Sequence, residues 1–280
     1  MKKMNNTPVI LPVSRIRPFD GNPYRVIDND EMAELIESIK NHGIMSPLIA
    51  RHLENTDEYE LISGHRRLYA AKTAGLETVP VFVYELDRDE AAIALVDSNL
   101  HREHILPSEK AFAYKLKMEA ISHQGIACGQ VGHKSREDVS DVDSGRTVQR
   151  YIRLTALIPE LLDLMDEGKI AFSVGVELSY LTDIHQYAVL NECELNDCTP
   201  SYAQANRLHK MALVRTIDED AISYVLSEEK ANQKSSVKIP MERLKNSIPE
   251  GYNARQAEDF IVKAVEHYQR YLQRHRSHER

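Results

Sequence analysis

The sequence is poor in cysteine, with three in 280 residues. Three thiols cannot build a disulfide framework, so a reducing, cytoplasmic setting is the expectation. No apolar run approaches the ~18 residues of a membrane span, which excludes an integral membrane protein built on spanning helices. The first residues, Met1 to Asn6, are polar and hold no apolar signal core, so secretion is not expected. Positive charge is also in deficit. Lys and Arg number 35 against 43 Asp and Glu, a formal net charge of −8, which excludes a wholly basic nucleic-acid coat protein. A local basic face survives that count, because phosphate attraction acts within a Debye length of about 10 Å. Neither a repeat with a period of roughly 20–50 residues nor a low-complexity tract is visible.

What remains is the composition of a soluble globular protein, 42% hydrophobic and 28% charged. At roughly 100–200 residues per domain the length gives about two domains and a small third piece. The spacing predicts an α+β unit over residues 1–106, an all-helical unit over 107–215, and a linker with a C-terminal helical segment over 216–280.

The first unit alternates strand and helix. Val9–Val13 is a short apolar strand that stops at Arg17-Pro18. Asn29-Asp30 precede Met32, Leu35, Ile36 and Ile39, a helical stripe that ends at Gly43. Pro47–Arg51 and Tyr59–Ser63 read as strands joined by the polar turn Glu54–Glu58. Residues 65–74 are helix-forming, Val79–Tyr84 is a strand, and Asp89–Val96 is a helix. After Pro107 only helical signals follow: Ser108–His123, a glycine-bearing loop over 124–134, Ser135–Val142, Arg146–Leu157, a helix opened by Pro159 and closed by Gly168, and three more near 173–181, 184–194 and 200–214. Residues 228–238 read as a linker. Asn253-x-x-Gln256 is a capping-box pattern opening an amphipathic helix that carries Ala257, Phe260, Ile261, Ala264, Tyr268 and Leu272.

Two places in the first unit carry chemistry. Ile62 to Lys72 runs strand, glycine, helix, and from Ser63 to Leu76 there is no acid. A helix start offers unpaired N–H groups and about half a positive charge. Gly64 lets an anion approach the backbone, and Arg66 and Arg67 add fork-shaped cationic donors. These features suit a phosphate cradle; they also describe a basic amphipathic helix with solvated arginines. In Asp97-Ser98-Asn99-Leu100-His101-Arg102-Glu103, Asp97 and Asn99 are oxygen donors of the kind a Mg²⁺–phosphate complex uses, and Arg102 is a further phosphate partner. The plainer reading of that stretch is a polar helix terminus.

The third place lies in the helical unit. Ser135–Leu157 reads as two short helices about a tight Asp143-Ser144-Gly145 turn, a helix-turn-helix. No acid occurs from Ser144 to Pro159, and Arg146, Arg150 and Arg153 share one face. Thr147 and Gln149 stand near the helix start. Such a helix fits the ~12 Å major groove, its first side chains reaching base edges and its arginines guanine or phosphate. A surface helix with scattered arginines has the same pattern.

In order and at matching separations, these stretches resemble the ParB-type partition proteins. Ser63-Gly64-His65-Arg66-Arg67-Leu68-x-Ala70-Ala71 is similar to that family's G-E-R-R-x-x-A box. Glu37 to Arg51 resembles its S-I-x-x-x-G-x-x-x-P-x-x-V-R stretch, and Asp97–Glu103 with Leu106-Pro107-Ser108-Glu109 its E-N-L-Q-R block. Thr147–Leu154 and Ile158–Ile170 resemble its helix-turn-helix region. The wording is most similar to ParB-like proteins of Gram-positive mobile elements. The resemblance covers about residues 9–180. It implies a ParB/sulfiredoxin-like N-domain that binds CTP with Mg²⁺ and closes as a clamp in a homodimer on specific double-stranded DNA. Carried over by position, Gly64, His65, Arg66, Arg67, Asn99, Arg102 and Arg25 (in Asn22-Pro23-Tyr24-Arg25) would line the nucleotide site, and Asn99 with Asp97 the Mg²⁺ end. The DNA-reading residues would be Arg146, Thr147, Gln149, Arg150 and Arg153. A ParA-type ATPase is the implied protein partner and the nucleoid the implied location.

Two departures from the family stand out. His65 replaces the glutamate of the G-E-R-R box and Ser98 the glutamate before the asparagine. The latter position bears on hydrolysis and Mg²⁺ handling, so weak CTP turnover at most is the expectation. The G-H-R piece resembles sulfiredoxin, whose chemistry needs a cysteine beside it, and none precedes Cys128. A free-serine kinase shares the fold and would need a carboxylate base, for which Asp97 is the nominee. Three functions are therefore in play: a partition clamp, a transcriptional regulator using the same helix-turn-helix, and a nucleotide-dependent kinase or nuclease. Cys193 and Cys198, and His101 and His104, have no second pair at zinc-finger spacing and read as isolated residues. The tail from Arg270 to Arg280 reads as a solvated end.

Overall fold

The computed structural model describes residues 2–3, 7–102, 104–127, 139–228, 248–249 and 253–276. The N-terminal part is a mixed sheet of β1 (Lys2–Lys3), β2 (Val9–Pro12), β3 (Ile16–Pro18), β4 (Leu48–His52), β5 (Tyr59–Ser63) and β6 (Thr78–Glu85). The sheet order is β1-β6-β4-β5-β3, with β2 also on β6. β4 lies parallel to β6 and antiparallel to β5, and β3 runs parallel to β5. Beyond the expected strand Val9–Val13, Ile16–Pro18 forms its own edge strand, where a proline lacking an N–H is tolerated.

Three helices cover this sheet. α1 (Asp30–His42) is capped by Asn29, whose side chain accepts the Met32 N–H at 3.1 Å, and it stops at Gly43 with φ 70°. Its stripe buries Met32 and Ile39 with Leu48, Leu61, Val79 and Val81 of the sheet and Leu68 of α2 (His65–Thr73). α3 (Arg88–Leu100) opens with an Asp87–Glu90 capping box and packs on α4 (Pro107–Ala127). Ala91, Leu95 and Val96 of α3 share a core with Tyr24, Ile62, Ala113, Tyr114 and Val148. That core joins the sheet to the helices that follow.

Those helices are α5 (Gly145–Leu154), α6 (Pro159–Asp166), α7 (Phe172–Leu178), α8 (Asp183–Leu195), α9 (Tyr202–Leu213) and α10 (Glu219–Ser227). α10 buries Ile222, Val225 and Leu226 in the same core as α8 and α9, so this compact unit runs to Glu228. α4 continues through Gly125, inside the stretch 124–134 expected as a loop. Most of that loop, and residues 135–138 of the expected first helix of the helix-turn-helix, lie outside the described residues. Val139 to Val142 are a turn and bends, not helix. The Ser140 hydroxyl takes the N–H groups of Val142 and Asp143 at 3.0 Å each, a local arrangement that competes with helix hydrogen bonding. In a separate unit, α11 (Ala254–Arg276) begins with the Asn253–Gln256 capping box, its two bonds both 3.0 Å.

Candidate nucleotide and nucleic-acid sites

The turn from β5 into α2 needs glycine. Gly64 has φ 104°, and a Cβ there would stand 2.5 Å from Leu48 Cδ2. The helix start that follows has no acid in its first turn. Beside it lies a cavity of about 510 Å³ whose lining includes Arg25, Arg66 and Arg102 with Glu31, Ile105 and Glu109. Three of the expected phosphate-binding arginines thus converge on one cavity, of the size small ligands occupy.

Each is held differently. Arg66 pairs with Glu31 Oε2 at 3.1 Å, an exposed pair. The Arg25 backbone N–H donates to Glu109 Oε1 at 2.9 Å, and its guanidinium stands 3.5 Å from Asp163 Oδ1 on α6. The Arg102 guanidinium lies 5.7 Å from the centre of the Tyr24 ring. Arg67 turns away from this group. Its Nη1 donates to the carbonyl oxygens of Ser46 and Pro47, and burial lowers its pKa. It braces the loop before β4, because one guanidinium satisfies two neighbouring carbonyls there.

His65 and Tyr24 lie within reach of the Arg102 charge. Burial, aided by the Arg102 charge, pushes the His65 imidazole down to about 4, so it is neutral near pH 7. Burial drives the Tyr24 phenol up, so it keeps its proton. Among the described residues neither His65 Nε2 nor the Tyr24 hydroxyl has a hydrogen-bond partner.

The expected Mg²⁺ pair does not assemble at this cavity. Asn99 is buried, and its amide nitrogen is used inside α3, donating to Leu95 O at 2.7 Å and Ser98 Oγ at 3.2 Å. Asp97 pairs with Lys117 Nζ at 2.5 Å and lines a different cavity, of about 490 Å³, with Ser63 and Ser98. Two residues apart on one helix, Asp97 and Asn99 point about 200° apart around it, which is why their proximity in sequence does not make a shared site. Among the described residues no group of three or more His, Cys, Asp or Glu is placed to hold a metal.

α5 realises the second half of the expected helix-turn-helix. Ser144 caps it by accepting the Thr147 N–H at 3.3 Å, and the Thr147 hydroxyl meets Ser144 Oγ at 2.9 Å. Val148 and Leu154 are buried. Arg146, Gln149 and Arg150 are exposed, Arg150 resting 4.9 Å from the centre of the Phe172 ring. Arg153 differs. It donates from Nη2 to the Ser179 carbonyl at 2.6 Å and lies 4.3 Å from the centre of the Tyr180 ring. The helix ends at Leu154 and not at Leu157, the last residues closing as a tighter turn.

A model of the ParB N-terminal domain family matches residues 1–100. Over those residues the chain resembles the ParB N-terminal domain family. It is 37% identical over 163 residues to the chromosome-partitioning protein Spo0J of Thermus thermophilus, covering 58% of this chain and 56% of that protein. It is 34% identical over 190 residues to a nucleoid occlusion protein of Listeria innocua, covering 66% and 62%. C-terminally truncated ParB of Caulobacter crescentus has been solved with the centromeric parS site (TM-score 0.42, 22% identity, 72% of this chain and 98% of that one) and with CTP-gamma-S (TM-score 0.32, 25% identity, 66% and 97%). This chain spans 41 to 62% of the length of the first curated relatives it matches. Among the described residues no helix is long and apolar enough to cross a membrane.

Glu31 and Glu109, which line the arginine cavity, and Tyr24 and Asp163, which contact its arginines, were not singled out from sequence. Tyr24 interrupts the Asn-Pro-Arg element and Glu109 falls in the P-x-E block, so both had a local signal; Glu31 and Asp163 reach the arginines only through the tertiary fold.

Proposed function

We propose that this ParB-family chain is a DNA-binding partition protein whose N-domain takes CTP in the cavity of Arg25, Arg66 and Arg102. The convergence of three guanidiniums beside the acid-free start of α2 carries this reading. A triphosphate brings about four negative charges, and guanidiniums with backbone N–H groups at a helix start are the donors that match it. Bound phosphate would exchange with Glu31 for Arg66 and with Asp163 for Arg25. The latter exchange touches α6, the helix after the DNA-reading segment, so the site is connected to α5 through covalent neighbours and a shared core. The choice of CTP over other nucleotides follows from the family resemblance. Asp97 and Asn99, which the resemblance implies for Mg²⁺, do not line this cavity.

α5, with Arg146, Gln149 and Arg150 exposed, is the element proposed to enter the major groove. A second copy of the chain and a ParA-type ATPase are the partners the family implies, and the cytoplasmic nucleoid is the implied place.

Titration calorimetry with CTP tests the nucleotide assignment. Arg102→Ala is expected to weaken binding at least tenfold, since a charge-assisted bond contributes about 1.5–3 kcal/mol; unchanged affinity overturns it. Chromatin precipitation tests the function. A clamp gives signal spread over kilobases from its site, and a peak confined to one operator favours a transcriptional regulator.

A further inference from the structure

Arg153 shares a face with Arg146 and Arg150 in the sequence, yet its surroundings set it apart. Its Nη2 donates to Ser179 O at 2.6 Å, and Ser179 is 1% exposed, its own hydroxyl donating to Val176 O at 2.7 Å. The guanidinium lies over the Tyr180 ring at 4.3 Å. Below that ring His209 stacks at 4.0 Å with an interplanar angle of 5°. His209 Nδ1 is 2.6 Å from Glu177 Oε2, and Glu177 also accepts from Asn206 at 3.2 Å and Tyr202 at 3.3 Å. The result is a pile running from α5 through the end of α7 into α9: guanidinium, phenol, imidazole, carboxylate. Among the described residues Arg153 Nε is buried without a partner, and no carboxylate pairs with this guanidinium.

We propose that Arg153 is a positioning residue that fixes the angle of α5, and that Tyr180 and His209 are its support. This rests on the reading of α5 as the groove-entering helix. Planar stacking and a directed bond to a fixed carbonyl need the guanidinium's shape as much as its charge. A solvated ammonium supplies neither. Removing the support changes DNA affinity through α5 although Tyr180 and His209 stand on other elements. A residue that contacts phosphate behaves otherwise: it adds about one to the salt slope, and lysine replaces it.

The probe is the duplex that the full-length wild-type protein enriches from a random 30-base-pair library, its binding measured across a salt series. Arg153→Ala and Arg153→Lys are both expected to lose at least tenfold in affinity with the salt slope unchanged. Tyr180→Ala is expected to lose affinity in the same way, and Tyr180→Phe, which keeps the stack, to stay within twofold of wild type. Thermal unfolding is read alongside, and Tyr180→Phe with Tyr180→Ala decide the matter if the Arg153 variants do not fold. Full affinity in Arg153→Lys with a reduced slope in Arg153→Ala makes Arg153 a phosphate contact and overturns the proposal. Wild-type affinity in Tyr180→Ala overturns it as well. Arg150→Ala separates the two claims: an unchanged affinity and slope there rejects α5 as the reading helix, whatever Arg153 does.

Discussion

Glu31 and Arg66 meet at 3.1 Å on the rim of the cavity that also holds Arg25 and Arg102. Glu31 lies in the first turn of α1, where a carboxylate is favoured by the helix dipole, and Arg66 lies in the first turn of α2. The pair is exposed, so it adds little to stability, about 0–1 kcal/mol. Its consequence is for ligand binding, because a phosphate must displace the carboxylate.

Glu31→Gln therefore tightens CTP binding, by roughly threefold for a screened exposed pair, while Arg66→Ala weakens it at least tenfold. Calorimetry with both variants checks this, and weaker binding in Glu31→Gln would show that Glu31 itself supports the ligand.

Gly64 has φ 104° and a Cβ there would meet Leu48 Cδ2 at 2.5 Å. Gly64→Ala incurs both the left-handed backbone cost of about 1–2 kcal/mol and an overpacking cost of about 1–3 kcal/mol. In a Leu48→Ala background only the backbone part remains. A double-mutant cycle by denaturant unfolding measures the difference, and strict additivity of the two substitutions would mean that no clash exists.

Lys110 Nζ lies 2.5 Å from Asp143 Oδ2, both side chains largely buried, and the Tyr114 hydroxyl donates to the same carboxylate at 2.5 Å. Burial alone would raise the Asp143 pKa; the bonds from Lys110 and Tyr114 outweigh it and leave the pKa below its ordinary value. A depressed carboxylate stabilises the fold above its unfolded pKa and loses that contribution as pH falls through the folded value. Asp143 directly precedes the Ser144 cap of α5. Lys110→Ala leaves Asp143 charged, buried and short of its cation, and is expected to destabilise by about 3 kcal/mol. Thermal unfolding at pH 7 reads the effect.

How much of this was legible beforehand follows from what each feature depends on. The sheet strands, α1 with its Asn29 cap, the Gly64 turn and the Asn253–Gln256 box are local patterns of period, cap and glycine, and the chain forms them where those patterns stand. Arg66, Arg102 and Arg25 were named from motif order, and they do share a cavity. Arg67 was indistinguishable from Arg66 in sequence; the carbonyls that claim it, Ser46 and Pro47, lie twenty residues away. Arg153 likewise looked equivalent to Arg150 until the end of α7 supplied a carbonyl, Ser179, and a ring, Tyr180. Asp97 and Asn99 do not line the arginine cavity together, since residues 97 and 99 of one helix face apart.

His65 stands where the resembled box has glutamate, and its titration offers the most direct probe of this site. Its pKa is pushed from the ordinary 6.5 down to about 4, first by burial and then by the Arg102 charge. The folded state thus binds the proton less readily than the unfolded chain. Stability is full above about pH 6.5, where both states are neutral, and declines as pH falls from there toward 4, by about 3 kcal/mol when the shift is converted at 1.36 kcal/mol per unit. His65→Gln keeps a polar group of similar size that does not titrate in this window, so the part of the decline that belongs to His65 disappears. Denaturant unfolding at pH 7.0 and pH 4.5 on both proteins gives that difference directly. An equal decline in the two proteins would place the acid sensitivity elsewhere and leave the buried imidazole without a role in it.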